Sequence, residues 1–415
     1  MKSDLDRLMK TRNLDAILVT GPAQHNPAMV YLTGGRHMTS ADLIKPCGGD
    51  PLLYYNPMER DEAAATGLRT KNLAEYGFED LLKQAEGDTV KALALRYQKM
   101  LTEQSITSGR MAIYGKIDVG AGYAVFSALR ELMPDLEIVG ETARDSMLLE
   151  AMATKDESEI EHMRQMGKIT TTVVGNVADF LTSHQAKNGF LVDRTGEALK
   201  IGDVKRRINL WLAMEGAENP EGVIFAIGRD AGVPHSSGNA DDLLRLGHTI
   251  IFDIFPCEAG GGYHYDFTRT WCLGFAPEQA QALYEDVFEV YHQIMAELEV
   301  GALFKDYQKR ACELFEARGH PTIKEDATLQ EGYVHSLGHG LGLHVHERPW
   351  SGSTATQDDV LHPGAVVTIE PGLYYPDKGM GCRLEEPVWV NLDGKIEVLA
   401  DFPMDLVLPV GHGNH

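Results

Sequence analysis

Short apolar runs rich in β-branched and aromatic residues recur through the first third of the chain: DAILVT (15–20), PLLYYN (51–56), MAIYG (111–115) and LEIVG (136–140). Between them lie stretches with helical spacing, such as AGYAVFSALRELM (121–133), and the amino-terminal MKSDLDRLMK alternates charges as a surface helix does. This alternation predicts an α/β domain whose sheet is covered on both faces. The texture changes near residue 150. Thr154 precedes Glu157 by three positions, a capping-box pair, and apolar residues then recur at helical spacing through Leu181, which predicts a long helix. A second helical stretch ends at INLWLAMEG (208–216), and two β runs follow, GVIFAIG (222–228) and TIIFDIF (249–255). Two more helices are predicted over about 277–300 and 303–318, then strands and loops to about residue 400. Helices in blocks and strands in blocks describe an α+β domain, so the expected division is 1–150 and 151–415, without internal repeats.

Composition narrows the possible partners. The 415 residues are 43% hydrophobic, and no apolar run approaches the length of a membrane helix. The amino terminus lacks the apolar core of a secretion signal, so the chain is expected in the cytoplasm. A formal charge of −23, with no basic cluster, would repel nucleic acid and anionic membranes, and neither is expected as a partner. The five cysteines, Cys47, Cys257, Cys272, Cys312 and Cys382, are scattered and never paired as CxxC, so free thiols are expected rather than a disulfide frame or a thiolate zinc site.

The chemistry-bearing residues cluster in three stretches. In IIFDIFPCEAGGGYHYDFTRTW (250–271), Asp253 lies near the end of an apolar β run and Asp266 lies beyond a glycine-rich turn, so a hairpin would bring the two carboxylates face to face. Two close buried carboxylates cannot both ionise unless they share a proton or a cation. In VVTIEPGLYYPDKGMGCRLEEPVWV (366–390), Glu370 closes an apolar run and Glu385 with Glu386 enters the returning strand. Strand alternation lets only one of the latter two point inward; if it is Glu385, Arg383 points in with it. In HSLGHGLGLHVHERP (335–349), His335 and His339 have HxxxH spacing, but Ser336 and three glycines argue against a metalloprotease zinc helix. A glycine-rich loop that brings a nitrogen ligand close to a cation is the alternative. Asp253, Asp266, His339, Glu370 and Glu385 together offer four carboxylates and one imidazole, which two divalent cations and a hydroxide would nearly neutralise. Such a pair supports peptide hydrolysis. Oxygen-rich ligation favours Mn, with Co, Zn or Fe as alternatives.

VPHSSGN (233–239), DIFPCEAGGGYHYDFTRTW (253–271), HSLGHGLGLHVHERP, TIEPGLYYP (368–376) and GCRLEEPVWV (381–390) resemble, in order and spacing, the motifs of the pita-bread metallopeptidases. This is peptidase family M24, which includes aminopeptidase P, prolidase, methionine aminopeptidase and creatinase. The first 150 residues resemble the creatinase-type amino-terminal domain, and a domain of that size argues against methionine aminopeptidase. The resemblance implies an α/β creatinase-N-like domain followed by an α+β pita-bread catalytic domain. It implies that Asp253 holds one metal, that His339 and Glu370 hold the other, and that Asp266 and Glu385 bridge both. Glu370 would also act as general base toward the bridging hydroxide. His235 and His346 would steady the substrate carbonyl and the tetrahedral intermediate, His335 would be a further substrate-side histidine, and Arg383 would orient the bridging glutamate. His264 and His344 match no such role and read as structural.

Three features depart from the family pattern. Asp253 and Asp266 are thirteen residues apart, two more than usual, and the longer turn could project Cys257 or Glu258 toward the substrate entrance. RLEE stands where RLED or RIED is usual, with Arg383 favouring Glu385 as the ligand. Prolidases carry a carboxylate-gripping arginine a few residues past the VHE segment, yet PWSGSTATQDDVLHPG (349–364) holds neither Arg nor Lys. Arg348 lies close by in a different register. The expected activity is therefore hydrolysis of the peptide bond before proline in an aminopeptidase P manner, by a homodimer or higher homo-oligomer acting on proline-containing peptides. Prolidase is the alternative. Further alternatives are a metal-free creatinase-like hydrolase, a non-catalytic binding module, or a metal-dependent hydrolase of a non-peptide amide.

Overall fold

Amphipathic helices over a sheet of near-continuous apolar strands organise the amino-terminal part. The computed structural model describes residues 4–412, which form two compact units that divide between Met152 and Ala153, with the turn Gly260–Gly262 grouped with the first. Of the amino-terminal helix expected from the sequence, Leu5–Thr11 is formed, and Met1 to Ser3 lie outside the described residues. The first unit holds a six-stranded sheet in the order Arg69–Asn72, Leu52–Tyr55, Ala41–Pro46, Ala16–Gly21, Gly109–Gly115, Leu136–Val139. Its central strand, Ala16–Gly21, is buried at every position, as expected of a strand covered on both faces. The sheet is mixed: Ala16–Gly21 pairs antiparallel with Ala41–Pro46 and parallel with Gly109–Gly115.

The second unit opens with the helix Glu157–Thr182. Its capping box is two residues later than the sequence suggested: Asp156 accepts from the backbone of Ser158 and Glu159, and Glu159 returns the contact. Thr154 is instead drawn into a β-bridge with Ala365. Helices Glu278–Glu297 and Phe304–Ala317 pack against each other and share one apolar core with the strands that carry the site. In the first of them Leu283, Val287, Val290 and Ile294 recur at helical spacing and are buried. Each such side chain contributes roughly 1.5–3 kcal/mol. One sheet runs Val223–Ile227, Thr249–Ile254, Phe267–Leu273, Val407–Leu408, and the other Glu347–Trp350, His339–Gly340, Val366–Ile369, Glu386–Val390, Ile396–Val398. A β-bridge between Thr268 and Glu385 ties them together. None of the five cysteines is in a disulfide, and four of them are buried. Among the described residues no helix is long and apolar enough to cross a membrane.

Candidate metal centre

Strand register decides which acids meet. Thr249–Ile254 pairs antiparallel with Phe267–Leu273, placing Asp253 opposite Thr268. Asp266, two residues before Thr268, is therefore a diagonal neighbour of Asp253 on the same face, not the directly opposed partner that a simple hairpin predicts. In the other sheet Ile369 pairs with Glu386, so Glu370 and Glu385 face each other just beyond the end of the ladder. Between them the chain makes a separate hairpin, Gly372–Tyr375 with Met380–Arg383. The bridge that joins the sheets, with Glu385 N donating to Thr268 O at 3.1 Å, brings both acid pairs to one place.

Asp266, His339 and Glu385 each present one ligand atom there, all within 4.8 Å of one another, and all three side chains are buried. The Nε2 of His339 lies 3.6 Å from Asp266 Oδ2 and 3.5 Å from Glu370 Oε1. Its Nδ1 lies 3.0 Å from the Gly340 carbonyl, which can only accept, so the proton sits on Nδ1 and the Nε2 lone pair faces the acids. Asp253 Oδ1 and Glu385 Oε1 are buried without a hydrogen-bond partner. Orphaned carboxylate oxygens are costly unless something cationic faces them.

Electrostatics agree. Burial pushes Asp266 well above the usual carboxylate range, with Glu385, Asp253 and Glu370 adding to the rise. Glu385 is raised in the same way by burial and then by Glu370 and Asp253. Burial lifts Glu370 to about 8, only partly offset by Arg383. His339 is pushed down to about 3 by burial and by His346 beside it, whose ring centroid is 4.3 Å away. The cluster thus pairs a neutral imidazole with carboxyls whose protons burial and mutual repulsion favour, and which a cation would displace. Oxygen and imidazole donors with orphaned carboxylate oxygens fit hard or borderline divalent ions.

Surrounding groups hold the acids in place. Glu385, not Glu386, faces the centre, and Thr268 Oγ1 donates to Glu385 Oε2 at 2.7 Å. Arg383 shares its face, but its Nη2 donates to Asp253 Oδ2 at 2.5 Å, and it reaches Glu385 through Thr268, to whose Oγ1 its Nε donates at 3.3 Å. Tyr374, which sequence reasoning missed, accepts from Arg383 Nη1 at 2.6 Å and lies 2.8 Å from His335 Nε2. His335 Nδ1 contacts the Ser336 carbonyl at 2.8 Å, so Nε2 is the acceptor and the Tyr374 hydroxyl donates to it. Burial, followed by Arg383 and His235, pushes His335 down to about 3. His235 is exposed, next to Pro234, whose carbonyl accepts from Arg383 Nη1 at 3.3 Å. Thr268 was findable, since it lies two residues from Asp266 on the same strand face.

Several sequence expectations change here. Glycines of the histidine loop are required by close protein neighbours: a Cβ on Gly338 would lie 1.9 Å from Thr368 O, and one on Gly340 would lie 2.0 Å from Arg348 O. The longer turn does not free Cys257 or Glu258. Cys257 is buried, and Glu258 accepts from Tyr263 N at 2.9 Å and contacts His162 Nδ1 at 2.6 Å. Arg348 donates to Asp359 Oδ1 at 3.0 Å and Thr356 Oγ1 at 3.1 Å. His264 donates its backbone N–H to Gly342 O at 2.8 Å, and His344 donates its own to Glu347 Oε1 at 2.9 Å.

The family model described as Metallopeptidase family M24 matches residues 161–391. The uncharacterized peptidase YqhT of Bacillus subtilis is 24% identical over 409 residues, 97% of this chain and 99% of that protein. A probable dipeptidase PepE of Mycobacterium tuberculosis (strain H37Rv) is 30% identical over 296 residues, 69% of this chain and 71% of that protein. In structure, a dipeptidase from Pyrococcus horikoshii OT3 superposes with a TM-score of 0.74 at 22% identity, covering 98% of this chain and 99% of that one. An X-Pro aminopeptidase from Thermotoga maritima MSB8 gives 0.70 at 21%, with coverage of 98% and 99%. The two-domain fold expected from the motifs is borne out by these likenesses, and with a match spanning more than half its length and an acid and histidine centre inside that match, the chain belongs to metallopeptidase family M24.

Proposed function

We propose that the chain is a dinuclear-metal Xaa-Pro peptidase of aminopeptidase P type, hydrolysing the peptide bond before proline. The observation that carries this reading is the convergence of Asp266, His339 and Glu385 ligand atoms within 4.8 Å, beside the orphaned oxygens of Asp253 and Glu385. Asp253 would hold one cation, His339 and Glu370 the other, and Asp266 and Glu385 both; manganese suits the donors best. When bound, a divalent pair supplies Lewis acidity to the scissile carbonyl and raises the acidity of water at neutral pH. The chain's own groups manage the protons and the substrate. Glu370 takes the proton of the attacking water and passes it to the departing amine. His346 and His235 donate to the carbonyl oxygen as it gains charge, and His335, held by Tyr374, orients the substrate. Arg383 fixes Asp253. Cytoplasmic location and a homodimer complete the reading.

Arg348 favours aminopeptidase P over a dipeptidase, because its guanidinium is engaged by Asp359 and Thr356 and is not poised to grip a substrate carboxylate. Prolidase is the second reading, favoured by relatives such as the Xaa-Pro dipeptidase of Pyrococcus horikoshii, 25% identical over 392 residues. Release of the first residue from Ala-Pro-Ala and Ala-Pro by the Mn-loaded chain, with Ala-Ala-Ala as control, tests both. Cleavage of the tripeptide with little action on the dipeptide is expected; the reverse would mean prolidase, and cleavage of neither would sink the Xaa-Pro assignment.

A further inference from the structure

Arg269 follows Thr268 in the strand and so points to the opposite face, away from the acids. It is only 1% exposed, yet its guanidinium spends every nitrogen on the protein. Nη1 donates to the carbonyls of Thr268 at 3.0 Å and Glu385 at 3.3 Å. Nε donates to Pro403 O at 2.9 Å, Nη2 donates to Phe402 O at 2.8 Å, and Nη2 also pairs with the Glu386 carboxylate. The guanidinium lies over the Phe267 ring, 4.1 Å from its centroid, with the Phe402 ring at 5.7 Å. Thr268 and Glu385 are the two residues whose bridge joins the sheets, and Thr268 also holds the Glu385 carboxylate. One planar fork therefore grips the backbone behind that carboxylate, and only arginine has donors in this geometry.

We propose that Arg269 is a positioning residue: through the Thr268 and Glu385 carbonyls and the Glu386 pair it sets the Glu385 carboxylate for divalent cations, with Phe402 and Pro403 completing its clamp. This rests on the reading of Glu385 as a cation ligand. It explains why a second acid follows Glu385, since Glu386 faces backward onto Arg269. It also brings residues 402–403 into the site's support, although they lie beyond the stretch matched by the family, 161–391.

The test is titration of the metal-free full chain with Co(II), read both as affinity by calorimetry and as the visible ligand-field spectrum, with circular dichroism to check folding. Arg269→Met is expected to weaken binding about 10- to 100-fold and to alter the spectrum. Arg269→Lys should fall between. If Arg269→Met does not fold, Arg269→Lys and Phe402→Ala carry the test, each expected to shift the spectrum in a folded chain. A folded variant of Arg269 with wild-type affinity and spectrum overturns the proposal alone, whereas a wild-type chain that takes up no Co(II) overturns the cation site and this inference with it.

Discussion

Loading the centre with a divalent cation should expel protons, in a number that follows from the buried acids. Glu370, raised to about 8, is roughly nine-tenths protonated at pH 7. Asp266 and Glu385 are shifted the same way by burial and by the neighbouring acids, whereas His339 at about 3 holds essentially none. Carboxylates bind a cation only when ionised, so Mn(II) addition at pH 7 should release about one proton per chain from Glu370, with the shifts of Asp266 and Glu385 acting in the same direction. Calorimetry of the metal-free chain in two buffers of different ionisation enthalpy reads that number directly. At about pH 9 the Glu370 share should shrink to roughly a tenth. The same shift sets the sign of a stability trend. A carboxyl raised above its ordinary 4.5 stabilises the metal-free fold fully below that pH, and the contribution is lost as pH rises through about 8. The metal-free chain should therefore melt progressively lower across that window, and the loaded chain should not. Zero release at pH 7, or proton uptake, would refute the account of burial and repulsion.

Two further outcomes follow from the packing around the centre. Lys155 Nζ meets Glu347 Oε2 at 2.8 Å with both side chains at most 1% exposed, so Lys155→Met should cost about 3–5 kcal/mol in urea unfolding, and Lys155→Met with Glu347→Leu should recover most of it. His346→Phe should lower kcat on the cleaved peptide roughly 10²- to 10³-fold while metal content stays at the wild-type level.

Some of this was readable in one dimension because strand periodicity is strict. An aspartate inside an apolar run needs something polar to face, which marks Asp253 and Asp266 as a pair, while periodicity leaves Glu385 and Glu386 as alternatives. The alternation also ties Arg383 to the inner face once Glu385 is there. What escaped reading depends on three-dimensional neighbours. Arg383 lands on Asp253, 130 positions away in the chain, because the Thr268 bridge sets the spacing between sheets. Gly338 and Gly340 look like ligand-approach glycines, and the close backbone of Thr368 and Arg348 is a second reason for them that the sequence does not show. Thr154 looked like a cap until its backbone paired with Ala365, which shifts the helix start to Asp156. Arg269 carries no signal at all, since four of its acceptors are backbone carbonyls supplied by distant and adjacent residues alike.

The most direct measurement is anomalous-difference density from a crystal of the full chain soaked in Mn(II). The account predicts two peaks per chain, both bordered by Asp266 and Glu385, one adjoining Asp253 and the other adjoining His339 and Glu370. Density elsewhere, or none at this cluster under conditions where the peptide bond before proline is cleaved, would contradict it.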